Sequence, residues 1–70
     1  MDIRLCTCLV IRKNGEFLVG METVSGELRW SRYIYDAWRT RDREKARRIA
    51  RITGGRQILF NPIAGQAKMI

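Results

Sequence analysis

Asp42-Arg43-Glu44-Lys45-Ala46-Arg47-Arg48-Ile49-Ala50-Arg51-Ile52-Thr53-Gly54-Gly55 is the stretch on which the fold of this 70-residue chain turns. It carries its own start and stop signals. The Asp42 carboxylate suits an N-cap, with Thr40 as a rival, and Gly54-Gly55 supplies a residue able to turn left-handed at the far end. Between them Ala46, Ile49, Ala50 and Thr53 fall at i, i+3, i+4 and i+7, a narrow stripe that lets a helix sit close on a sheet. The opposite face bears Arg43, Lys45, Arg47, Arg48 and Arg51. Glu44 is spaced to pair with Arg48 at i+4.

Upstream, residues 3–13 alternate as a strand, with Ile3, Leu5, Thr7, Leu9 and Ile11 on one face and Arg4, Cys6, Cys8, Val10 and Arg12 on the other. Asn14-Gly15 is a strong hairpin signal, so residues 16–22 form the returning strand. A two-residue turn sets Arg12 opposite Phe17, Ile11 opposite Leu18, Val10 opposite Val19 and Cys8 opposite Met21. Both faces of this hairpin are apolar. One receives the helix; the other, with Cys8, Val10, Phe17, Val19 and Met21, needs a second chain or the aromatic segment to cover it.

Residues 28–39 are ambiguous by period. Trp30, Ile34 and Trp38 are spaced for a helix, whereas Arg29, Ser31, Tyr33, Tyr35, Ala37 and Arg39 alternate as in a strand. Their aromatic and branched content, and the separate helix a few residues later, favour a strand. Beyond the helix, residues 56–61 form a strand with Ile58 and Phe60 on one side and Leu59 on the other, ended by Pro62. Residues 66–70 read as a short strand or a loose tail. The expected architecture is a single α+β domain over residues 1–70, β-β-β-α-β. Its sheet is mostly antiparallel, one amphipathic helix packs on one face, and the third and fourth strands run parallel through a right-handed crossover.

Charge is the most informative property of the composition. Fourteen Lys and Arg face seven Asp and Glu, a net +7. Residues 1–28 hold three bases against four acids, net −1, while residues 29–56 hold ten bases against three acids, net +7. Such asymmetry favours a polyanionic partner, nucleic acid first, against the plainer reading of a solubilising helix face. Arg12-Lys13 break the first apolar run, which fits neither a signal peptide nor a membrane span, so the expected location is the cytoplasm and no membrane partner is expected.

Enzymatic machinery is poorly represented. The chain has no histidine, its carboxylates are scattered, and its Gly-Gly pair follows a helix where a phosphate loop would precede one. Cys6 and Cys8 lie two apart on a strand, too constrained for an easy mutual disulfide, and cannot furnish four zinc ligands within one chain. They read as small buried hydrophobes. No catalytic residue, metal or cofactor is expected.

Trp30, Tyr33, Tyr35 and Trp38 interleave with Arg29, Arg32, Arg39 and Arg41, a mixture that suits stacking and phosphate contact, although packing is the stronger reading of the tryptophans. The run Tyr35-Asp36-Ala37-Trp38-Arg39-Thr40, the helix ending Thr53-Gly54-Gly55, and Phe60-Asn61-Pro62 with Gly65 resemble small bacterial prophage and mobile-element proteins over about the second half of the chain. These are fold marks and carry no known active site. The resemblance implies an accessory, non-enzymatic protein of a bacterial host cell that binds something. The leading expectation is therefore a basic module engaging nucleic acid or a nucleoprotein through Arg39, Arg41, Arg43, Arg47, Arg48 and Arg51. The alternative is a protein-binding inhibitor of host defence, of the anti-CRISPR kind, acting through Cys8, Val10, Phe17, Val19 and Met21 or as a homodimer.

Overall fold

The computed structural model describes residues 7–69. Its elements are β1 (Cys8–Lys13), β2 (Glu16–Met21), β3 (Leu28–Ser31), a single 3-10 turn (Ile34–Asp36), α1 (Arg43–Thr53), β4 (Arg56–Asn61) and β5 (Gln66–Met69). The strands form one antiparallel sheet in the order β3-β2-β1-β4-β5. This is the expected small α+β domain with one helix on the sheet. The placing of Ile3, Arg4, Leu5 and Cys6 on the first strand lies outside the described residues.

α1 obeys its local signals. The Asp42 carboxylate accepts from the Glu44 and Lys45 backbone N–H groups at 3.0 and 3.2 Å, and Thr40 supports the cap by accepting from the Asp42 N–H. Gly54 ends the helix at φ 74°, a conformation that crowds any Cβ. Gly55 is needed for a different reason, since a Cβ there would lie 2.6 Å from Ile11 Cγ2 and 3.0 Å from the Arg12 carbonyl oxygen. Lys13 Nζ adds a cap unseen in the local sequence by donating to the Thr53 carbonyl at 3.0 Å.

Two clusters fill the two faces of the sheet. On the helix side Leu9, Ile11, Leu18 and Ala46 are buried, flanked by Leu28, Trp30, Trp38, Ile49, Ala50 and Leu59. On the other side Cys8, Val10, Ala37, Ile58 and Phe60 are buried, with Phe17 and Ile34 packed against them. The second face is therefore covered by the 3-10 turn of the same chain. Tyr35 stands edge-on to Phe60 at 5.4 Å between ring centroids, and its hydroxyl donates to the Pro62 carbonyl.

Three expectations are corrected. The strand expected over residues 28–39 stops at Ser31, whose hydroxyl accepts from the Tyr33 N–H and donates to Asp36, turning the chain across the sheet. Residues 38–40 then run beside β1. Trp38 N–H donates to the Leu18 carbonyl, and Leu9 and Thr40 exchange two backbone hydrogen bonds. The hairpin ladder holds Arg12↔Phe17 as expected, together with Lys13↔Glu16, but the expected pairings of Ile11 with Leu18, Val10 with Val19 and Cys8 with Met21 are not part of it, and beyond Arg12 the ladder gives way to this inserted segment. Second, β4 does not run parallel to β3; it pairs antiparallel with β1. Residues 38–40 and β4 flank β1 on opposite sides and are both antiparallel to it, so the parallel relation around α1 exists, with β1 between its members.

The third correction concerns Met21. A bulge between Leu18 and Gly20 inserts one residue into β2, so that Leu18 pairs with Trp30 and Met21 with Leu28. One extra residue inverts the alternation beyond it. Met21 consequently lies on the helix side with Leu18, not with Phe17.

Candidate nucleic-acid interface

Arg43, Arg47, Arg48 and Arg51 are all exposed on α1, whose buried positions Ala46 and Thr53 face the sheet. A stripe of small residues seats the helix, and the long cations are left on the far side. The only ion pair among the described residues joins Glu44 to Arg47 at 3.8 Å, between side chains that are mostly exposed. The i+4 spacing predicts Arg48 as the partner instead. At that distance and exposure the Arg47 charge is scarcely offset.

Arg39 and Arg41 stand apart from this face. Arg39 Nη2 donates to the Tyr35 carbonyl at 3.0 Å and its guanidinium lies 5.4 Å from the Phe60 ring centroid, so it pins the 3-10 turn to the sheet face opposite α1. Arg41 is exposed and shares a shallow depression with Cys8, Arg39, Thr40 and Pro62. Burial pushes the Cys8 thiol up from its ordinary pKa, partly opposed by the fields of Arg39 and Arg41. The thiol also donates to the Phe60 carbonyl at 3.4 Å, which suits a packed, unreactive cysteine.

Three cations not singled out by sequence, Arg12, Lys13 and Arg56, border the helix face without belonging to it. Arg56 lines one depression with Arg47 and Arg51, and a second with Arg12 and Lys13. Neither depression is lined by an acid. Arg12 and Arg56 are direct cross-strand partners. Lys13 was legible beside the Asn14-Gly15 turn, where Asn14 (φ 52°) and Gly15 (φ 78°) form the expected tight reversal. The Arg12–Arg56 juxtaposition was not, because it depends on β4 returning beside β1.

The residues expected to form an intersubunit face are dispersed. Cys8 and Val10 are buried within the chain, Phe17 and Val19 are half-buried, and Met21 is exposed on the helix side. Among the described residues no three of His, Cys, Asp and Glu converge as metal ligands. Among the same residues no helix is long and apolar enough to cross a membrane. No protein-family model, curated protein or solved structure matches this chain.

Proposed function

We propose that the protein is a non-enzymatic binding module that engages the phosphates of nucleic acid, alone or in a nucleoprotein, through the exposed face of α1. The observation that carries this reading is the alignment of Arg43, Arg47, Arg48 and Arg51 on a helix whose other side is fixed to the sheet, with a single weak acidic neighbour. Guanidiniums carried on a helix seated against the sheet pair with phosphates and release counterions, a source of affinity with little sequence preference. The prophage or mobile-element setting implied by the resemblance agrees with such an accessory role in a bacterial cytoplasm.

The test is fluorescence anisotropy with labelled oligonucleotides across a salt series starting at about 50 mM, where phosphate contacts are strong. Wild type should bind with a steep salt slope. Changing Arg47, Arg48 and Arg51 to Glu should abolish binding without unfolding the protein, because none of the three is buried. A wild type that fails to bind any oligonucleotide at that salt overturns the reading.

One observation favours the alternative, a protein-binding inhibitor of host defence. An apolar groove runs between α1 and β2–β3, lined by Leu18, Met21, Leu28, Trp38, Ile49 and Ile52, and Met21 and Ile52 are 63% and 71% exposed. That surface differs from the one expected from sequence. At +7 per chain, self-association is opposed by charge repulsion, so an acidic, apolar partner segment suits the groove better than a second copy.

A further inference from the structure

Among the described residues, Arg12 and Arg56 form the one like-charge pair of direct cross-strand partners in the sheet. The two residues are direct partners in the β1–β4 ladder, so their side chains leave the same face about 5 Å apart at Cβ, where like charges repel. Both are exposed, and neither has an acidic partner among the described residues. Cross-strand neighbours elsewhere on that face are apolar: Val10 with Ile58, and Cys8 with Phe60. Departures from local consistency of this kind are expected at functional positions.

We infer that Arg12 and Arg56 form a second phosphate site, continuous with the helix face, and that the ligand traversing both is a single-stranded nucleic acid. This rests on the nucleic-acid reading above and extends it. The depression holding Arg12, Lys13 and Arg56 shares Arg56 and Met69 with the one holding Arg47 and Arg51, so the cations form a continuous track around the hairpin end of the sheet. Arg47 and Arg51 belong to the helix side. Arg12 and Arg56 alternate in register with Val10, Ile58 and Phe60, which pack on the side opposite α1.

A polyanion that touches both ends of this track must turn around the edge of a folded layer. Duplex DNA has a persistence length of about 150 base pairs and resists bending over so short a span, whereas a single strand follows it without that cost. Lys13 contributes charge to the track while its ammonium donates to Thr53, which holds the hairpin end against the helix terminus. The phosphate placed between Arg12 and Arg56 removes their repulsion, so the pair is destabilising in the free protein and favourable in the complex.

The informative variant is Arg12→Glu, which converts the like-charge pair into an ion pair with Arg56 and so favours folding. Thermal melting should occur at the same temperature as wild type or higher. Affinity for a labelled 20-nucleotide single strand at 50 mM salt should fall by about tenfold or more, with the slope of log K against log salt reduced by about 1.4 for the two neutralised phosphate contacts. Affinity for a duplex of the same length, already lower in wild type, should change less. A variant that melts normally and retains wild-type single-strand affinity overturns the inference. So does a wild type that binds duplex as well as single strand. If the Arg47/Arg48/Arg51 reversal abolishes binding while Arg12→Glu leaves it intact, only the second site fails; if wild type binds neither oligonucleotide, the helix-face reading falls with it.

Discussion

The segments over residues 42–55 and 28–40 are similar in length and both rich in arginine, yet they obey different kinds of instruction. In the first, cap, stripe and terminating glycine lie within a few residues of one another, and α1 forms where they say. In the second, helical and strand periods are superimposed, and neither prevails: the chain makes one short strand, a 3-10 turn and a bridge to β1. Trp30 and Trp38 go to the helix side while Ile34 and Ala37 go to the other. A segment that serves both faces of a sheet cannot keep a single period.

The sharpest test of that contrast is Val10→Asp. Val10 is fully buried beneath the cluster that contains Ala37 and Phe60. If residues 28–40 seal a true core, the unpaired carboxylate should cost about 4 kcal/mol. A 70-residue domain has a total stability of only about 4–10 kcal/mol, so urea unfolding should find the variant largely unfolded. A folded, soluble variant would mean that this face is open and that the turn merely rests on it.

Next in size is Gly55→Ala, expected to cost about 2 kcal/mol because the added Cβ meets Ile11 and the Arg12 backbone, which cannot both retreat. Gly54→Ala, where the strain is conformational and the nearest atoms belong to the flexible Lys13 side chain, should cost about 1 kcal/mol. Equal melting of the two alanine variants would reduce the helix terminus to a purely local cap. Asp42→Ala should likewise lose about 1 kcal/mol, read as lower helicity by circular dichroism and earlier amide exchange at Glu44 and Lys45. The smallest effect belongs to Arg39→Gln. Loss of the bond to the Tyr35 carbonyl and of the contact with Phe60 should cost about 0.5 kcal/mol at this exposed site, with faster amide exchange confined to the 3-10 turn. Exchange that also quickens in α1 would show that the two segments are coupled more tightly than their separate faces imply.

Several features whose signal and consequence lie close in sequence are legible in the chain alone: the Asn14-Gly15 reversal, the Asp42 cap, the Gly54 terminus, the cation face of α1, and the α+β sheet with its helix. These depend on φ preference, on side chains reaching backbone groups two or three residues away, and on helical spacing. Three features required the tertiary structure. The neighbour of β4 depends on which strand edge is free once residues 38–40 have occupied the other side of β1. Met21 changed faces because one bulged residue inverts every position beyond it. The meeting of Arg12 with Arg56, 44 positions later in the chain, depends on a long-range register that no local pattern encodes.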